Sequence, residues 1–199
     1  MEPMYERKDA YYRKAKQEGF RSRAAYKLTE IARAHKIARP GEFVVEAGAA
    51  PGGWSQVLLR LVGTKGKVAA VDLLPMEPLP GENFRFFRTD IAEPSLPEEI
   101  LSFFGRNADA VVSDAAPNTS GVSVTDRARS ADLVRSVLSL AETTLREGGT
   151  FLAKIFEGPE ADEVFRELQG KFSKVIRVRP GATRKESSEL YLLARGFRG

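Results

Sequence analysis

Short, unbroken apolar runs alternate with helix-patterned segments along most of this chain, and no other feature restricts its fold as much. Phe43-Val44-Val45 is the first run, followed by a Gly-rich turn from Ala47 to Gly53. Lys67 to Val71, stopped at Asp72, reads as a second strand, and Phe84 to Phe87 as a third. Asp109 to Ser113 is a fourth and Thr150 to Phe156 a fifth; Phe172 to Val178 and Leu190 to Ala194 are the last two. Helices are expected from Ser22, as N-cap, to about His35, from Trp54 to about Leu61, and over Leu96 to Phe104. Two more are expected, from Thr125 to about Leu145, stopped by Glu147-Gly148-Gly149, and over Ala161 to Leu168. Continuous apolar strands are buried on both faces, so an α/β fold with a mainly parallel sheet between helices follows. No helical pattern joins the last two strands, which are expected to pair antiparallel at one edge.

The 199 residues suit one domain, and 42% hydrophobic composition supports a core. Residues 1–20 read as a basic arm and 21–199 as the domain. The absence of cysteine excludes a disulfide framework, a thiolate nucleophile and a Cys-based metal site. His35, the single histidine, leaves little for a His-based zinc site or a Ser-His-Asp triad, so no metal is expected. No apolar run is long enough to span a membrane. The charged N-terminal segment has no apolar stretch of the secretory kind, so a cytoplasmic location is expected.

The net charge of +4 is unevenly distributed. Residues 1–40 carry a balance of +6, residues 41–170 a balance of −8, and residues 171–199 a balance of +6. Basic ends around an acidic middle point to a polyanionic partner, most often nucleic acid.

Ligands of mainly parallel sheets bind beyond the C-terminal strand ends. After the first strand comes Glu46-Ala47-Gly48-Ala49-Ala50-Pro51-Gly52-Gly53-Trp54. Its small residues let a ligand approach the backbone, and the next helix offers free N–H groups. The phosphate-loop pattern GxxxxGKS/T fails because Gly53-Trp54 follows the second Gly, and GxGxxG fails at Ala50. Glu46 would repel a pyrophosphate and suits a cofactor with a cationic end. Asp72 is placed to accept hydrogen bonds from a ribose diol, and Asp90 from an adenine amino group or, equally, to cap a helix. The fourth strand ends in Ser113-Asp114-Ala115-Ala116-Pro117-Asn118. Lys154 lies within the fifth, where a buried ammonium needs a partner, and Glu189 enters the last.

These residues together resemble the FtsJ-type (RrmJ-type) ribosomal RNA 2′-O-methyltransferases, from about Tyr12 to Ala194. The matching blocks are Ser22 to Leu28, Glu46 to Trp54, Val71 to Met76, Ser113 to Asn118, Lys154 to Glu157 and Ser188 to Tyr191. Ala115, and the segment from Arg179 to Lys185, depart mildly from the family pattern. The resemblance implies a Rossmann-like S-adenosylmethionine-dependent fold. Its sheet would have seven mainly parallel strands with one antiparallel edge strand, and helices on both faces. It also implies a catalytic tetrad of Lys27, Asp114, Lys154 and Glu189. The implied cofactor site comprises Gly48, Ala50, Pro51, Gly53, Trp54, Asp72, Leu73, Asp90 and Asp114. The implied reaction is 2′-O-methylation of a ribose, expected to be a uridine's, in large-subunit ribosomal RNA, by a monomer.

Within that reading Lys154 is the base or the group that steers the hydroxyl lone pair, aided by Lys27 and oriented by Asp114 and Glu189. The RNA surface is expected at the basic ends. In the arm it would use Arg7, Lys8, Arg13, Lys14, Lys16, Arg21 and Arg23, with Tyr11, Tyr12, Phe20 and Tyr26 for stacking. At the other end it would use Lys174, Arg177, Arg179, Arg184 and Lys185. The competing readings are a transfer-RNA or cap 2′-O-methyltransferase, an NAD-dependent oxidoreductase, and a non-catalytic RNA-binding protein. The broken GxGxxG and Lys154 disfavour the second, and the complete tetrad disfavours the third.

Overall fold

The computed structural model describes residues 12–118, 120–183 and 187–199. Residues 12–17 are helical (α1). There follow α2 (Ala24–His35), β1 (Phe43–Ala47), α3 (Gly53–Val62), β2 (Lys67–Asp72) and β3 (Phe84–Arg88). Next come α4 (Leu96–Phe104), β4 (Ala108–Ser113), α5 (Ser123–Thr144) and β5 (Leu145–Phe156). The last elements are α6 (Pro159–Lys171), β6 (Phe172–Val178) and β7 (Glu189–Phe197).

The strands form one sheet in the order β3-β2-β1-β4-β5-β7-β6. Those from β3 to β5 are mutually parallel. β7 is antiparallel to both β5 and β6, so the expected antiparallel pairing is present at that edge. The antiparallel strand lies one place in from the outside, because the β5–α6–β6 crossover leaves a gap that β7 fills. Val45, Ala47, Val111, Phe151 and Ala153 pack with α4, α5 and α6 on one face. Val44, Val112, Leu152 and Leu193 pack with α2 and α3 on the other. The two apolar layers explain why the strands read as continuous apolar runs.

Two local expectations are corrected. α2 starts at Ala24, and its N-cap is Arg23, with no side-chain cap. Ser22 does not cap; its hydroxyl lies where a side chain on Gly53 would otherwise stand. α5 stops at Thr144, one residue from the expected Leu145, but the Gly pair is not what stops it. Leu145 is extended, buried in the core and paired with Ala108, and a register shift between Ala108 and Ala110 takes up the following residues. Burial of Leu145 therefore ends the helix before the Gly pair is reached.

Asp109 fastens the N-terminal ends of three strands. Its carboxylate accepts from the Phe43 N–H at 2.8 Å, from Arg106 at 2.7 Å and from Arg146 at 2.6 Å. Burial pushes the carboxyl up, but the bonds from Arg106, Arg146 and Phe43 outweigh it and hold it below its ordinary 3.8. A carboxyl depressed by folding stabilises above the unfolded value and ceases to do so as pH falls through the folded one. Asp109→Asn is expected to cost about 1–3 kcal/mol at pH 7. The gap from the unaltered protein should narrow below pH 3.8. Urea unfolding at pH 7 and at acid pH checks this, and a gap independent of pH contradicts it.

Candidate active site

The C-terminal ends of the strands bring the sequence-expected residues to one edge of the sheet. Asp90 follows β3, Asp72 ends β2, the Gly48 turn follows β1 and Asp114 follows β4. Lys154 stands near the end of β5, and Glu189 begins β7, whose antiparallel course carries its first residue to the same edge. The strand order reverses between β1 and β4, where such sheets form a ligand crevice.

The tetrad residues meet as a chain of alternating charge. Lys27, from α2, places Nζ 2.8 Å from Glu189 Oε2. Glu189 Oε1 is 4.0 Å from Lys154 Nζ, which is 3.2 Å from Asp114 Oδ1. Lys154 also donates to the Asp114 carbonyl at 2.7 Å. Lys154 is only 8% exposed, so these partners offset the cost of burying its charge. Burial raises the Glu189 carboxyl, but the Lys27 hydrogen bond and the charges of Lys27 and Lys154 bring it below its ordinary value. Glu189 is thus held ionised between the two lysines.

Tyr191 belongs to this cluster and was missed in the sequence. Its hydroxyl donates to Asp114 Oδ1 at 2.6 Å, and its ring stacks on Trp54 with centroids 5.8 Å apart. Burial, with Asp114 adding to it, pushes the Tyr191 hydroxyl up, so it stays a donor. The available signal was period two: Glu189 and Tyr191 share a face of β7.

The turn after β1 is shaped by close approaches. A side chain on Gly48 (φ +77) would come within 2.6 Å of the Ala115 backbone, so the β1 and β4 loops touch there. A side chain on Gly53 would come within 2.2 Å of Ser22 Oγ. Asp72 accepts from the N–H groups of Ala50 and Leu74, both at 2.8 Å, and so ties the turn to the end of β2. Pro51 is exposed, as is Leu73 at 63%. Asp90 accepts from the Ala92 N–H at 2.9 Å and so also braces a turn. Trp54 is buried, and its indole donates to the Ala24 carbonyl at 2.9 Å.

Glu46 is 1% exposed. Its Oε2 accepts from Ser55 at 2.5 Å, while Oε1 has no partner among the described residues. Burial is the main cause that pushes its carboxyl up to about 8; Ser55 lowers it, and the charges of Asp114 and Asp72 add to the rise.

Much of the expected RNA surface is used inside the protein. Tyr26 is not free to stack: it is buried, packs edge-on to Phe20 at 5.7 Å and donates to Glu18. Phe20 lies under Arg60. Arg21 donates to the carbonyls of Pro51, Glu77 and Pro78, and Arg23 to that of Ala182. Lys14 pairs with Glu18, Arg177 with Asp162, and Arg179 with Glu157. Tyr12 is exposed, as are Arg13, Lys16 and Lys174. Arg7, Lys8, Tyr11, Arg184 and Lys185 lie outside the described residues.

The model of the FtsJ-like methyltransferase family matches residues 20–197, which includes Lys27, Asp114, Lys154, Glu189 and the turn after β1. The chain belongs to the FtsJ-like methyltransferases. It is 46% identical to a ribosomal RNA large subunit methyltransferase E of Methanothermobacter thermautotrophicus, over 97% of this chain and 92% of that one. Its identity to the protein of the same name from Hahella chejuensis is also 46%, over 96% and 92%. A solved structure described as a ribosomal RNA methyltransferase from Plasmodium falciparum superposes with a TM-score of 0.81 at 28% identity, covering 90% of this chain and 100% of that one.

In this FtsJ-like methyltransferase Glu46 makes ligand-free stability depend on pH. Its folded carboxyl titrates near 8 and its unfolded one near 4.5. Between these values the folded state binds more protons, so stability falls as pH rises. Glu46→Gln is expected to remove up to one proton's worth of that slope, read from urea unfolding between pH 5 and pH 8. An identical slope in both proteins refutes the assignment.

Proposed function

We propose that this methyltransferase moves a methyl group from S-adenosylmethionine to a ribose 2′-hydroxyl of large-subunit ribosomal RNA. The observation that carries the reading is the alternating chain Lys27–Glu189–Lys154–Asp114 beside the Gly48 turn. The names of the Methanothermobacter and Hahella relatives support the choice of RNA.

The carboxylates at the strand ends suit a cofactor with cationic groups. The charges of Asp114 and Asp72 act unfavourably on Glu46, and the shielded Glu46 Oε1 lacks a partner among the described residues. A positive charge nearby would relieve both. Gly48, Ala50, Pro51, Gly53 and Trp54 would hold such a cofactor from the β1 side, Asp72, Leu73 and Asp90 from the outer strands, and Asp114 beside the tetrad. When bound, S-adenosylmethionine supplies a methyl group activated by a sulfonium.

A ribose hydroxyl must present a lone pair to that methyl group and lose its proton as the new bond forms. In this reading Lys154 Nζ performs both tasks. As an ammonium it donates to the hydroxyl oxygen and selects the lone pair left free. As an amine it takes the hydroxyl proton, and the flanking carboxylates of Asp114 and Glu189 stabilise the charge it then carries. Lys27 acts on Lys154 through Glu189, which stands between the two lysines. Tyr191 and the Asp114–Lys154 contacts keep Asp114 in place.

Lys154→Ala is expected to lower turnover by about 10²–10⁴-fold. Labelled S-adenosylmethionine and a large-subunit RNA transcript measure this, and a thermal shift with S-adenosylmethionine should persist. Near-normal turnover removes Lys154 from the chemistry. Lys154→Arg keeps the charge but accepts no proton near neutral pH. Retained activity there assigns steering, and lost activity assigns the base.

A further inference from the structure

A second charged site lies at the opposite end of the sheet. A groove between the C-terminus of α2 and the β6–β7 edge is lined by His35, Lys36, Lys174, Ile176, Leu193 and Arg195. Tyr191, Leu193 and Arg195 alternate along one face of β7, and α2 packs on that face through Leu28 and Ile31. Arg195 is six residues from Glu189, so the groove begins about 20 Å from the tetrad along the strand.

Four observations single out an anion. Lys174 and Arg195 are register partners on adjacent strands, and like charges side by side repel unless something negative joins them. Neither they nor Lys36 makes an ion pair among the described residues, and no carboxylate lines the groove. One terminal nitrogen of Arg195 is shielded from water without a hydrogen-bond partner among the described residues, so its desolvation is uncompensated there. Lys36 caps α2 with φ 48, and it is the one non-glycine residue with positive φ among the described residues. Glycine ordinarily takes that position without strain. A lysine there keeps a charge beside the groove at a backbone cost.

We infer that this groove binds backbone phosphates of the RNA substrate remote from the reacting nucleotide, an inference that rests on the RNA methyltransferase reading above. The RNA backbone is favoured as occupant because the cations line an open groove at a distance from the tetrad that a single strand of several nucleotides covers. Ile176 and Leu193 provide an apolar floor between the charges. The site is separate from the tetrad edge, so it fixes where the RNA lies without touching the reacting hydroxyl.

The test uses a Lys36→Gly/Lys174→Gln double variant and an unmethylated large-subunit RNA transcript. Both positions are exposed, and Lys36→Gly relieves backbone strain, so the variant should fold and keep its thermal shift with S-adenosylmethionine. Its KM for RNA should rise with kcat retained. The slope of log affinity against log salt, read by fluorescence anisotropy, should become shallower by about 1–2. Unchanged KM or an unchanged salt slope overturns the groove. Inorganic phosphate that stabilises the unaltered protein as strongly as RNA does, with the effect lost in the variant, overturns RNA as its occupant. Failure of the unaltered protein to methylate the transcript overturns the activity itself, and the anisotropy comparison still decides the groove.

Discussion

The buried amino group of Lys154 is the constraint around which the C-terminal edge of the sheet is organised. A charge in the middle of a core sheet is tolerated only when paired and hydrogen-bonded, and removing one partner of such a pair costs about 3–5 kcal/mol. Lys154 meets this condition with Asp114 from the loop after β4 and Glu189 from the start of β7. Glu189 reaches that edge because β7 runs against its neighbours. The antiparallel strand between β5 and β6 is thus more than a closing element of the sheet. It delivers a carboxylate, and two residues later a tyrosine hydroxyl, to a place a parallel strand would reach only with its last residues. Lys27 completes the chain from α2, outside the sheet.

The two ends of the sheet solve different electrostatic problems. At the C-terminal edge of β1, β2 and β4, the charges of Asp114 and Asp72 add to burial in disfavouring the ionisation of Glu46. At the N-terminal edge, Asp109 is satisfied by two arginines and a backbone N–H, and it braces β1, β4 and β5. One carboxylate group is a structural clamp with its partners present. The other crowds the buried carboxyl of Glu46 with two neighbouring carboxylates and leaves its Oε1 without a partner among the described residues. The uncompensated cations of the groove beside Arg195 are the same situation with the sign reversed.

The strand and helix pattern was readable because both sheet faces are buried, so each strand is a continuous apolar run. Val68–Val71 and Ala108–Ser113 are buried throughout for that reason, and helix Leu96–Phe104 and edge strand Phe172–Val178 also coincide with their expected bounds. The end of α5 was readable to within one residue, but its cause was not. Glu147-Gly148-Gly149 is a sound local stop, but burial of Leu145 against the core ended the helix first. Ser22 has the chemistry of a cap, yet it is used against Gly53, a contact 31 residues away in sequence that no local rule contains. Tyr26 and Arg21 carry groups suited to RNA, and the fold consumes them in packing and loop bracing. A residue's chemistry is legible from its type, whereas its availability depends on which long-range neighbour claims it.

By itself, the sequence determined the sheet-and-helix alternation, the small-residue turn after β1 and the identities of the four charged tetrad residues. The first two follow from period and size, which are local properties of the chain, and the four charged residues were named through the family resemblance. Tertiary structure alone decided that Glu189 lies between two lysines, that Tyr191 holds Asp114, and that Lys174 stands beside Arg195. Each of these depends on strand order and register, which are set by how the two apolar layers close over the whole sheet.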